Sequence, residues 1–67
     1  MPYRTNADLP AALQRRLPPH AQDIYREAFN NAWERYGEDE QTAFRVAWAA
    51  VKRLYEPTDA GWVPRHP

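Results

Sequence analysis

The chain has 67 residues, with nine basic and nine acidic side chains that cancel to zero net charge, and no cysteine. One small domain is the most this length supports, and without cysteine neither disulfides nor thiolate metal sites can staple it. A neutral balance argues against a dedicated binder of nucleic acid or anionic membrane, because such affinity depends on neutralising phosphates.

Prolines punctuate the chain. Residues 1–7 are polar and read as extended. Pro10 suits a first helical turn, where its missing N–H costs nothing. Leu9, Leu13 and Leu17 follow at helical spacing, and Pro18 disfavours helix at Leu17. The first helix is therefore expected over about 10–17, too short to stand alone.

Pro19 opens a second helix, expected over about 19–36. Ala21, Ile24, Tyr25, Ala28, Phe29, Ala32, Trp33 and Tyr36 share one half of its wheel. His20, Asp23, Arg26, Glu27, Asn30, Asn31 and Glu34 share the other. Gly37 is placed for a left-handed cap. The third helix is expected over about 39–55, with Glu38, Asp39 and Glu40 at the dipole's positive end and Lys52 and Arg53 at its negative end. Its apolar set runs from Ala43 and Phe44 through Val46, Ala47, Trp48, Ala50, Val51 and Leu54 to Tyr55. This arc covers roughly 200°, wider than the roughly 100° stripe that one neighbour needs. The third helix is thus expected to be central. One flank meets the second helix. The other, around Phe44, Trp48, Val51 and Tyr55, meets the first helix and the terminal segments, or a partner protein. Gly61-Trp62-Val63 reads as a short extended piece near 61–64, and Tyr3-Arg4-Thr5 as its pairing partner in a two-stranded ribbon joining the termini. The expected fold class is mainly all-α: a compact three-helix domain over 1–67 with that small ribbon.

The sequence as a whole resembles the ChaB family. Met1-Pro2-Tyr3-Arg4-Thr5, Asp8-Leu9-Pro10, the run from Leu17 to Trp33, the run from Ala43 to Tyr55, and the late Trp62 carry the resemblance. It implies a helical domain with a small sheet, in the cytoplasm, acting as a regulator associated with a cation (Ca/Na/K)/proton antiporter. There are two departures. Between Tyr36 and Phe44 this chain has only Gly-Glu-Asp-Glu-Gln-Thr-Ala, where the enterobacterial member carries a longer charged insertion. Pro19 also stands where a capping Ser is usual, so the second helix starts on proline preorganisation.

No catalytic constellation emerges. The chain has neither Cys nor Ser, His66 sits in the tail, and two glycines cannot build a phosphate-cradling loop. No cofactor is expected. His20, Asp23 and Glu27, at i, i+3 and i+7, are the one arrangement where a hydrated divalent cation finds several oxygens; a solvated helix face explains the same residues. The expected role is non-enzymatic: a regulator that binds another protein. Phe44, Trp48 and Tyr55, with the acidic ridge of Asp23, Glu27 and Glu34, are the candidate docking residues. The alternative is nucleic-acid binding through Arg45, Lys52 and Arg53, extended by Arg15 and Arg16. Against it, the Glu38-Asp39-Glu40 run would repel phosphates at the helix end that enters a groove. No apolar run reaches the roughly 20 residues that span a bilayer, and no signal-peptide core is evident.

Overall fold

The computed structural model describes residues 2–65. Three helices and a hairpin follow in order: α1 (Ala11–Arg16), α2 (Pro19–Arg35), α3 (Glu40–Leu54), β1 (Tyr55–Thr58) and β2 (Gly61–Pro64). A 3-10 turn over Asn6–Asp8 precedes α1.

Each boundary has a local cause. α1 stops because Leu17 turns extended ahead of Pro18. Its six residues cannot hold a helix alone, and two glutamines tie it down. Gln14 Nε2 donates to the Leu9 carbonyl at 2.6 Å, and Gln22 Nε2 of α2 donates to the Leu17 carbonyl at 2.7 Å. α2 begins at Pro19 with no side-chain cap. It ends in a Schellman turn: Gly37 and Glu38 both have positive φ, and the Glu38 N–H donates to the Trp33 carbonyl at 2.7 Å. α3 starts one residue later than expected because Asp39 is its cap. The Asp39 carboxylate accepts from the N–H of Gln41 at 3.1 Å and the hydroxyl of Thr42 at 2.8 Å.

α2 and α3 form an αα-hairpin whose seam is small: Ala21 and Ala32 on α2, Ala43 and Ala47 on α3, all buried. Alanines let two helix axes approach closely. The bulk of the core lies to one side of that seam, in Leu9, Leu17, Tyr25, Phe29, Val51 and Tyr55.

The two-stranded ribbon exists, but its strands differ from expectation. β1 pairs with β2 antiparallel, from Tyr55 opposite Pro64 to Thr58 opposite Gly61. Tyr55 therefore leaves the helix and opens a strand. Tyr3 is not in the ribbon. Its backbone N–H donates to Asn30 Oδ1 at 2.8 Å and its carbonyl accepts from Asn30 Nδ2 at 2.7 Å. A side-chain carboxamide on α2 thus supplies the donor and acceptor that a second strand would have offered.

Pro57 and Pro64 sit opposite Trp62 and Tyr55. The Arg65 N–H donates to the Leu54 carbonyl at 2.8 Å, which sets the ladder's parity. Both prolines fall at non-hydrogen-bonded pairs, where backbone groups point outward. Each strand therefore lacks an outward N–H at its proline, and the ribbon edges are poor templates for strand addition.

Candidate docking surface

The aromatic flank of α3 is mostly core. Val51 and Tyr55 are buried. The Tyr55 hydroxyl lies 3.0 Å from His20 Nδ1, which fixes both side chains. Trp48 is half-buried, its ring 5.0 Å from Trp62 and 5.3 Å from Tyr25. The flank expected to meet either the terminal segments or a partner thus meets the C-terminal strand. Of the three aromatic docking candidates only Phe44 is free: it stands edge-on to Trp48 at 6.3 Å and is 51% exposed. Tyr55 is unavailable without opening the core.

The acidic ridge divides likewise. Asp23 Oδ1 accepts from Asn6 Nδ2 at 2.7 Å and lies 3.7 Å from Arg26, whose Nε donates to Asn6 Oδ1 at 2.8 Å. This network clamps the 3-10 turn onto α2 and engages Asp23 within the chain, its side chain still about half exposed at 48%. Glu27 and Glu34 remain exposed, flanking a shallow depression with Asn30 and Asn31. His20, Asp23 and Glu27 do not converge, because the first turns to Tyr55 and the second to Asn6. Among the described residues no three His, Cys, Asp or Glu side chains stand close enough to hold a metal ion. His66 lies outside the described residues.

Arg45, Lys52 and Arg53 are all exposed. They do not share one face. Arg45 and Lys52 lie about 20° apart on the outer side of α3, while Arg53 lies roughly 80–100° away. Arg16 donates to the Thr58 carbonyl at 3.3 Å and belongs to the hairpin contact instead. Thr42, donating to Asp39, holds that carboxyl below its usual range, so the α3 N-terminus carries firm negative charge. Burial pushes the Tyr25 hydroxyl up to about 12 and also raises that of Tyr3.

The other flank of α3 is open, and sequence reading passed over it as a site. Val46, Ala50 and Leu54, at i, i+4 and i+8, form a stripe beside the seam. Leu54 is 54% exposed. Ile24 of α2 joins Ala50, Arg53 and Leu54 around a shallow groove of about 310 Å³. Its signal was present in the width of the apolar arc; which part of the arc the core would use was not.

A profile of the ChaB family matches residues 9–65. The chain belongs to the ChaB family. Proteins named "putative cation transport regulator ChaB" from Escherichia coli (strain K12) and Shigella flexneri are 50% identical over 68 residues, covering 88% of this chain and 90% of theirs. That aligned length exceeds this whole chain, so those relatives carry residues that it lacks. An NMR solution structure of a protein of the same name superposes with a TM-score of 0.83 at 48% identity, covering 97% of this chain and 100% of the other. The family's fold of three helices and a two-stranded sheet is the fold described above. Among the described residues no helix is long and apolar enough to cross a membrane.

Proposed function

We propose that this chain is a non-enzymatic accessory protein of the cytoplasm that regulates a cation/proton antiporter by binding a protein, either the transporter or a component that controls it. The regulatory part of this reading follows the name its relatives carry. The docking part rests on α3. Its apolar arc is wider than the core requires, and Phe44, Val46 and Leu54 remain exposed on a chain of only 67 residues. Val46 and Leu54 line one stripe of α3 with Ala50 beside Ile24, and a contiguous apolar stripe left in water is the kind of surface that a partner covers. Opposed charges flank it, Glu27 and Glu34 outside α2 and Arg45 and Lys52 outside α3. Such a dipolar surface orients a partner without net charge.

The test is antiport itself. Proton-coupled cation exchange is followed in everted vesicles carrying the antiporter, with the purified protein added. The expected result is a change in exchange rate that a folded Phe44→Ala, Leu54→Ala variant fails to produce. An unchanged rate with the natural chain, or equal action by the variant, overturns the reading.

A further inference from the structure

We infer that the part of α2 carrying Asp23, Arg26, Phe29 and Asn30 is a slot for a short non-helical segment of a partner protein. That segment presents an aromatic residue and, three positions later, an asparagine; this chain's own residues 3–6 fill the slot as a displaceable strap. The inference goes beyond the docking reading above, because it uses α2 and none of the α3 stripe.

The strap stands on two footings. Tyr3 and Asn6 are partly buried, while Arg4 and Thr5 between them are exposed. At the first footing the Asn30 carboxamide accepts from the Tyr3 N–H at 2.8 Å and donates to the Tyr3 carbonyl at 2.7 Å. These two bonds read backbone alone, so any residue but proline satisfies them. The ring supplies the side-chain part, packed on Phe29 with centroids 4.9 Å apart. At the second footing Asn6 Nδ2 donates to Asp23 Oδ1 at 2.7 Å, and Asn6 Oδ1 accepts from Arg26 Nε at 2.8 Å. Only a carboxamide answers both neighbours. A carboxylate would accept from Arg26 but meet Asp23 with like charge, and an ammonium would do the reverse. The rise along α2 from Asp23 to Asn30 is about 10 Å, which three residues of drawn-out chain cover. The slot thus specifies a backbone, a ring and a carboxamide at fixed separation.

A separate segment can reproduce these contacts. The strap pairs with no strand, since β1 pairs with β2. Its other ties are the Thr5 N–H to Asp8 within the segment and the Ala7 carbonyl, which accepts from Gln14 of α1. The alanine seam between α2 and α3 does not involve it. Lifting the strap exposes Phe29, now 1% exposed, and unpairs Asn30, so an emptied slot favours being refilled. Being in the same chain, the strap competes at an effective concentration in the millimolar range. A partner segment displaces it when another contact already holds that partner close.

The probe is an acetylated peptide with the sequence of residues 2–8, beside a twin carrying Asn6→Asp. Both are titrated by NMR into the isotope-labelled full chain and into a Tyr3→Ala, Asn6→Ala variant whose α2–α3 amide pattern shows it folded. A single Asn6→Ala chain takes its place if the double variant does not fold. The expected result is saturable shifts at Arg26, Phe29 and the Asn30 side-chain amide in the variant, with binding about ten-fold tighter than to the natural chain, where the strap competes. The aspartate twin binds about ten-fold more weakly, the scale of one lost hydrogen bond to a charged group. The natural chain gives an independent readout: the Tyr3 amide exchanges its hydrogen faster than those of Phe29 and Ala47, because the strap opens without global unfolding. No shifts in the variant, equal affinity for variant and natural chain, equal binding of the twins, or Tyr3 protection matching that of the core amides overturns the inference.

Discussion

Single residues decide where this fold is tight. Gly61 has φ of 129°, and a Cβ there would stand 2.9 Å from the Arg16 carbonyl oxygen, where α1 meets β2. Gly61→Ala therefore meets both a left-handed backbone and a backbone clash, and loses about 1–3 kcal/mol in urea unfolding. Tyr25 acts through pH. Its folded pKa, pushed up to about 12 by burial, lies above the unfolded value near 10. The fold holds that proton more tightly, so stability is full below about pH 10 and falls as pH rises towards 12. Tyr25→Phe removes that component, and its stability between those values declines less steeply than that of the natural chain in pH-stepped denaturation. Asp39 works at the opposite end. Its carboxyl, lowered chiefly by the Thr42 hydroxyl, adds stability above the ordinary carboxylate range that is lost as pH falls through its folded pKa. Asp39→Ala lacks that acid-side loss and frays the first turn of α3 at neutral pH, which hydrogen exchange at Gln41 and Thr42 reads directly.

Elements were legible to different degrees. The three helices were evident in the sequence because apolar spacing, prolines and the Gly37 cap all pointed the same way, and their ends moved by one residue where a cap or strand took over. Tyr55 shows why the limit was one residue: its apolar side chain fits a helix stripe and a strand equally well, and Pro57 decides between them only through tertiary pairing with Trp62. The N-terminal segment was misread for a different reason. No local pattern announces that a helix-borne Asn will serve Tyr3 as a pairing strand. Asn30→Ala leaves that N–H and carbonyl without their partners, at a cost of about 1–3 kcal/mol. The expected outcome is faster amide exchange at Tyr3 and lost packing of Tyr3 on Phe29, whose rings lie 4.9 Å apart, with the α2–α3 hairpin intact. The docking candidates were half legible. Periodicity revealed that α3 is apolar over too wide an arc, but the choice between its flanks depended on where Trp62 returns.

The whole molecule is a two-helix layer covered on one side. The N-terminal segment, α1 and the hairpin close over the aromatic flank, while Ile24, Ala50 and Leu54 line an open groove beside Arg53 and Val46 stands exposed on the same stripe of α3. A zero net charge conceals this arrangement, because acids gather outside α2 and bases outside α3. The fold leaves Val46 and Leu54 exposed beside the α2–α3 seam, and that is the observation behind the proposed docking role. The most direct measurement is an NMR titration of the labelled chain with the antiporter in lipid nanodiscs, beside empty nanodiscs. Selective broadening of α3 and facing α2 amides, centred on Ile24, Ala50 and Leu54 and absent with empty nanodiscs, is the expected result. Spectra unchanged by the transporter, or equally broadened by lipid alone, would contradict a regulator that docks on it.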